Sequence, residues 1–199
     1  MARGTYPSLT GTSVYWDFVE LPSQILENWC YEPEALALFA KHFETGELLP
    51  KEYVDRIVES QQFMEGYATL RQLNFGYLDM TYHGLTTPME GSVADFERSA
   101  TTDTQLFVPV EGTSSSTAFS HIFQGGYSAG YYSYKWAEVL DADAFERFKE
   151  EGIFNEAAAN DFAAILSSGG TVAPDELFKK FRGRDPKVDA LLKRAGIAS

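Results

Sequence analysis

The run His121-Ile-Phe-Gln-Gly-Gly-Tyr127-Ser-Ala-Gly-Tyr131-Tyr132-Ser-Tyr134-Lys-Trp136 decides how this chain is read. Tyr127, Tyr131 and Tyr134 are spaced by four and then three residues. A helix here puts all three on one face and turns Tyr132 away. The pattern predicts a tyrosine-bearing helix over residues 128–140. Gly125 and Gly126 permit a tight approach loop between His121 and that helix. A row of hydroxyl donors beside an imidazole suits stabilising an oxyanion while an acyl bond breaks. A helix that buries tyrosines in a core accounts for the same spacing. Tyr132 and Trp136, facing elsewhere, are read as core residues.

Outward from this run, helix signals dominate. Residues 1–12 are rich in Gly, Thr, Ser and Pro and read as a loop. Over residues 15–31 the apolar Phe18, Val19, Leu21, Ile25, Leu26 and Trp29 recur at helical spacing. Pro22 must bend that helix or sit near its start. Glu20, Gln24 and Glu27 then share one polar face. Further helices are expected over 33–43, 51–63, 65–82 and from Ser92 onward. Asp143 is expected to cap a helix over 144–151, with Phe145 and Phe148 buried. An alanine-rich helix over 155–167 closes at Gly169-Gly170, and Pro174 and Pro186 open the last two. Residues 107–120 hold Pro109, Gly112 and a Thr-Ser-Ser-Ser-Thr run, which reads as an exposed, mobile loop shaping access to His121. Phe107-Val108-Pro109-Val110 is the single candidate for a short strand. The fold class is predominantly α.

Composition narrows the function classes. A chain of 199 residues is long enough for one sizeable core. A net charge of -13 argues against nucleic acid as a partner, because a phosphate backbone would be repelled. No apolar run approaches the length of a membrane span. The single Cys30 excludes an internal disulfide and suits a reducing compartment, so a cytoplasmic location is expected, with an upstream signal left open.

A second segment sharpens the reading. It runs Gly11-Thr12-Ser13-Val14-Tyr15-Trp16-Asp17-Phe18-Val19-Glu20-Leu21-Pro22-Ser23-Gln24 and continues to Glu27-Asn28-Trp29. Together with the His121–Trp136 run and the closing Phe181-Arg182-Gly183-Arg184-Asp185-Pro186, it resembles the thimet oligopeptidase family of zinc metallopeptidases. That family includes bacterial oligopeptidases and peptidyl-dipeptidases. The resemblance implies the helical catalytic portion of a two-lobed zinc peptidase that cuts short peptides in a channel. Internal cleavage and removal of C-terminal dipeptides both fall within it. By the same resemblance Glu20 is a zinc ligand, and Tyr134 is the principal oxyanion donor, with Tyr127 as a second catalytic tyrosine. His121 binds substrate near the metal or steadies the tetrahedral intermediate. Tyr131 is implied to bind substrate, and Gly125 and Gly126 to let backbone pass close to a bound peptide. Asp17 and Glu27 are weaker candidates for orienting a ligating histidine.

The family holds its zinc with a His-Glu-x-x-His helix, and no such string occurs in this sequence. His42, His83 and His121 are scattered, and His42 and His83 read as structural. The whole of residues 1–199 is therefore expected to be the C-terminal part of a catalytic domain whose metal-binding helix lies upstream. Catalytic zinc takes three protein ligands, and this chain offers one. Alone it is expected to be inactive, to bind the upstream part of the same peptidase, or to self-associate through an exposed apolar surface. An inactive helical binding or scaffold module is the alternative. A carbohydrate hydrolase would need paired carboxylates across a cleft, and tyrosines on one helical face argue poorly for that.

Overall fold

The computed structural model describes residues 1–198. They divide into two compact units. One comprises Met1–Phe63 with Trp136–Ser199, and the other Met64–Lys135. Ten α-helices and several 3-10 turns carry the described chain, and it holds no strand. An isolated antiparallel bridge, Lys41 to Leu48, is the nearest approach to one. The candidate strand at residues 107–110 does not form: Val108 and Val110 stand exposed, and no strand is found to pair with them among the described residues. The predominantly α reading is borne out.

In the first unit, the expected helix over residues 15–31 is broken into three pieces. A 3-10 turn, Trp16–Phe18, precedes α1 (Leu21–Glu27), and another, Asn28–Tyr31, follows it. Pro22 explains the break, since it sits in the first turn of α1, where its missing N–H is not needed. Glu20 consequently lies at the N-cap of α1 and not on its polar face. Helix α2 (Pro33–Phe39) stops early, and the chain turns back through a bond from the His42 amide to the Glu47 carbonyl, 2.8 Å. Helix α3 (Lys51–Ser60) completes the N-terminal segment.

The core of this unit forms around α7 (Ser133–Glu151), α8 (Glu156–Ser168) and α9 (Pro174–Arg182). Leu140, Ala144, Phe145 and Phe148 from α7 meet Phe162 and Ile165 from α8 and Leu177, Phe178 and Phe181 from α9. Phe18, Leu21 and Ile25 of the N-terminal segment close the same cluster. Trp29 packs edge-on to Phe145 and Phe148 at 4.7 and 4.9 Å, and its indole N–H donates to the Ile153 carbonyl at 3.0 Å. Burying these rings and aliphatic groups supplies the main driving force, at about 1.5–3 kcal/mol per large side chain.

One expectation fails here. Asp143 caps no helix, because α7 runs unbroken through it. Its carboxylate is buried and accepts from both Arg184 Nη atoms at 2.6 Å and from the Lys187 amide at 2.9 Å. An Asp ahead of an apolar run looks like a cap in sequence, but a distant guanidinium claims this one. Asp141 is likewise buried and paired with Arg194 Nη1 at 2.5 Å, and that arginine belongs to α10 (Asp189–Arg194). The glycines at the end of α8 serve more than helix termination. A Cβ on Gly169 would stand 2.3 Å from the Leu9 carbonyl oxygen, and one on Gly170 would stand 2.4 Å from that of Ser13. The bare backbone lets the N-terminal turn pass against it.

In the second unit, α4 (Glu65–His83) is the long element, joined by α5 (Val93–Ala100) and the short α6 (Ser115–Ala118). Ser92 caps α5, its hydroxyl accepting from the Asp95 amide at 3.1 Å. The loop expected over 107–120 is only partly free. Glu97 of α5 accepts from the Ser114 hydroxyl at 2.6 Å and from the Ser115 and Ser116 amides at 3.1 and 2.6 Å. A carboxylate from another helix thus caps α6, a contact that loop composition cannot reveal.

Candidate active site

Six of the seven predicted site residues lie in the second unit: His121, Gly125, Gly126, Tyr127, Tyr131 and Tyr134. The chain reaches them through a 3-10 turn, Ser120–Ile122, and then a run of turns up to Ser133. The helix expected from residue 128 begins only at Ser133, so a common helical face does not gather the tyrosines. They gather nonetheless. The rings of Tyr127 and Tyr134 stack at 5.5 Å with 14° between their planes, and Tyr131 lies 5.0 Å from Tyr134. The His121 ring stands 4.9 Å from Tyr127, 5.6 Å from Tyr131 and 5.9 Å from Tyr134. The Tyr134 hydroxyl is 3.5 Å from His121 Nε2, the outer limit of a hydrogen bond.

Backbone geometry explains how this is done without a helix. Gly125 and Gly126 have φ of 73° and 77°, a left-handed pair that reverses the chain between His121 and Tyr127. A Cβ on Gly125 would come within 3.3 Å of the Tyr127 ring. Ala129 is also left-handed, at φ 58°, and turns the chain again before Tyr131. The result is a half-buried imidazole and two half-buried phenols around a buried Tyr131.

Tyr132 and Trp136 are not core residues, being 48% and 41% exposed. Tyr132 precedes the helix and so does not follow its phase. Trp136 lines a cleft of about 530 Å³ in the first unit, together with Tyr15, Phe18, Leu140 and Phe178. Phe119 was missed by sequence reasoning. It stacks on His121 at 5.6 Å and meets Tyr131 edge-on at 4.7 Å. Also unforeseen were Gln72, which accepts from the Tyr131 hydroxyl at 2.9 Å, and Asp79, which accepts from the Ala129 and Tyr131 amides. Both look like ordinary polar positions on a long helix, and only their contacts set them apart.

Glu20 belongs to the first unit, where it is half-buried and its Oε2 accepts from the Ser23 hydroxyl at 2.9 Å. Asp17 is half-buried in the preceding 3-10 turn, and Glu27 is exposed at the end of α1. His42 and His83 fill structural roles. The His42 Nδ1 accepts from the Glu44 and Thr45 amides at 3.3 and 3.2 Å, and the His83 Nδ1 lies 3.0 Å from Asp79 Oδ1. Among the described residues, no three His, Cys, Asp or Glu side chains come together to hold a metal ion. The residues present therefore do not form a complete zinc site. Among the described residues, no helix is long and apolar enough to cross a membrane.

The geometry gives a helical chain in which a histidine and three tyrosines converge behind a glycine pair. The model of Peptidase family M3 matches residues 1–197, and the chain belongs to that family of peptidases. It is 50% identical to oligopeptidase A of Escherichia coli K12 over 190 residues, 94% of this chain and 28% of that relative. Oligopeptidase A of Haemophilus influenzae is 48% identical over 186 residues, 92% of this chain and 27% of that relative. Dipeptidyl carboxypeptidase of Salmonella typhimurium is 36% identical over 195 residues, 96% and 29% respectively. The chain thus spans a little over a quarter of the length of these curated relatives.

Proposed function

We propose that this chain is the C-terminal part of the catalytic domain of a zinc peptidase acting on short peptides, and that His121 and the three tyrosines are its reaction-stabilising wall. The observation that carries the reading is the convergence of four rings from residues 121–134, by tight turns, into one cluster. Phenols donate hydrogen bonds without carrying charge at neutral pH, so Tyr134 and Tyr127 suit the oxyanion that develops as a peptide carbonyl is attacked. His121 supplies a further donor beside them, and Tyr131 with the Gly125-Gly126 backbone supplies substrate contacts. Glu20 is proposed as one of three zinc ligands, the two imidazoles coming from a His-Glu-x-x-His segment outside this sequence. When bound, the metal would supply Lewis-acid polarisation of the scissile carbonyl.

The partners follow from the same reading. They are short peptides as substrates and the remainder of the peptidase, with no nucleic acid or membrane. Exposed apolar side chains such as Phe43 and Phe63, 88% and 78% accessible, support association with that remainder. The exposed, unbridged Cys30 suits a cytoplasmic location.

The test combines this chain with the metal-binding segment and zinc and follows cleavage of a quenched short peptide. Hydrolysis is expected only with both polypeptides and metal present. Tyr134→Phe should lower turnover by on the order of 10²–10³ with zinc content unchanged. Full turnover in that variant would remove Tyr134 from the oxyanion role. No hydrolysis from the wild-type pair would leave the inactive scaffold reading standing.

A further inference from the structure

We propose that Asp79 is a positioning residue for the tyrosine cluster. Its carboxylate clasps the turn at residues 129–131 and so fixes where Tyr131 and its neighbours stand. Asp79 lies on α4 and is fully buried. Its Oδ1 accepts from the Ala129 amide at 2.9 Å, and its Oδ2 accepts from the Tyr131 amide at 3.0 Å. Both oxygens of one carboxylate are thus spent on backbone donors two residues apart. Charge-assisted bonds of this kind are stronger than neutral ones.

Between the two clasped amides the chain carries the left-handed φ of Ala129, a conformation unfavourable for any residue with a Cβ. Nothing in the local sequence demands it, since a glycine would be the ordinary choice. The clasp supplies the reason that alanine stays there. The consequence reaches the rings. With its amide tied to Asp79 and its hydroxyl donating to Gln72 at 2.9 Å, Tyr131 is held at both ends by α4. Gln72 and Asp79 are seven residues apart, two helical turns along one face. His83, one turn beyond, has its Nδ1 2.8 Å from the Asp79 backbone carbonyl and 3.0 Å from Asp79 Oδ1, and so packs against the same residue. Tyr131 then packs against Tyr134 at 5.0 Å and His121 at 5.6 Å, so a slackened turn displaces the groups assigned to oxyanion stabilisation.

The catalytic half of this inference rests on the peptidase reading above, whereas the clasp itself does not. Two readouts keep them separate. Amide exchange at residues 129 and 131 is followed by NMR on this chain, and kcat and KM are measured on the active pair with zinc. Asp79→Asn keeps size but loses one acceptor. It should speed exchange at one or both amides by about tenfold or more and lower kcat by a similar factor, with KM moving less than about threefold. Ala129→Val acts from an exposed position without touching the core, so it decides the question even if Asp79→Asn does not fold. It should shift both readouts in the same direction. Adding Ala129→Gly to Asp79→Asn should recover part of the lost kcat, because glycine accepts the positive φ. Wild-type exchange in a folded Asp79→Asn variant, or in Ala129→Val, would overturn the clasp. Faster exchange with unchanged kcat would overturn the positioning role. If the wild-type pair shows no hydrolysis, the peptidase reading falls and the exchange rates alone decide the clasp.

Discussion

Asp141 and Asp143 stand two residues apart on α7, yet both are buried. Residues on opposite sides of a helix can both be interior only if the helix is surrounded there, and residues 140–145 are all buried. Each carboxylate is therefore answered by an arginine from the C-terminal segment, Asp141 by Arg194 and Asp143 by Arg184 with Arg182 at 3.3 Å. Breaking such a pair leaves an uncompensated charge in the interior. Asp143→Ala should lower stability by about 3–5 kcal/mol, read from urea unfolding at neutral pH. A loss below about 1 kcal/mol, typical of an exposed pair, would show that the arginines find water instead.

At the scale of elements, carboxylates reach across to neighbouring segments and determine how these end or turn. Glu97 does this for α6. Burial raises its pKa, but the hydrogen bonds from Ser114, Ser116 and Ser115 outweigh that and hold it below the ordinary value. Asp143 behaves alike: burial pushes up, and the Arg184 bonds, the Lys187 amide and the nearby arginine charges pull it down further. A group depressed in the folded state contributes stability that is fully present above its unfolded pKa and is lost as pH falls through the folded one. Thermal stability should therefore hold through neutral pH and drop below about pH 4, the ordinary carboxylate range. In Asp143→Ala that acid-side slope should flatten. An equally steep slope in the variant would assign the loss to other carboxylates.

For the molecule as a whole, the two units differ in what holds them. The large apolar cluster lies in the unit formed by Met1–Phe63 and Trp136–Ser199. In Met64–Lys135 the buried apolar large side chains are Leu78, Ile122 and Tyr131, and polar contacts such as those of Glu97 and Asp79 carry more of the structure. Less apolar burial means a lower free energy of local opening. Hydrogen exchange should be faster in α5 and α6 than in α7 to α9, and limited proteolysis should cut first within residues 64–135. Uniform protection across both units would contradict this.

Much of this was legible beforehand. Apolar periodicity announced most of the helices, and Pro33 and Pro174 stand at helix starts as expected, whereas Pro186 lies three residues ahead of α10. The run from His121 to Tyr134 held the right rings, although the helical face read from their spacing does not form. Tertiary structure decided what periodicity could not carry. The rings meet through left-handed turns and not on a helix, Asp143 serves Arg184 and not a helix end, and Asp79 reaches fifty residues along the chain to its partner amide. The physical reason is range. A residue type states its local preference within a turn or two, whereas a buried carboxylate takes whichever donors the folded chain brings to it.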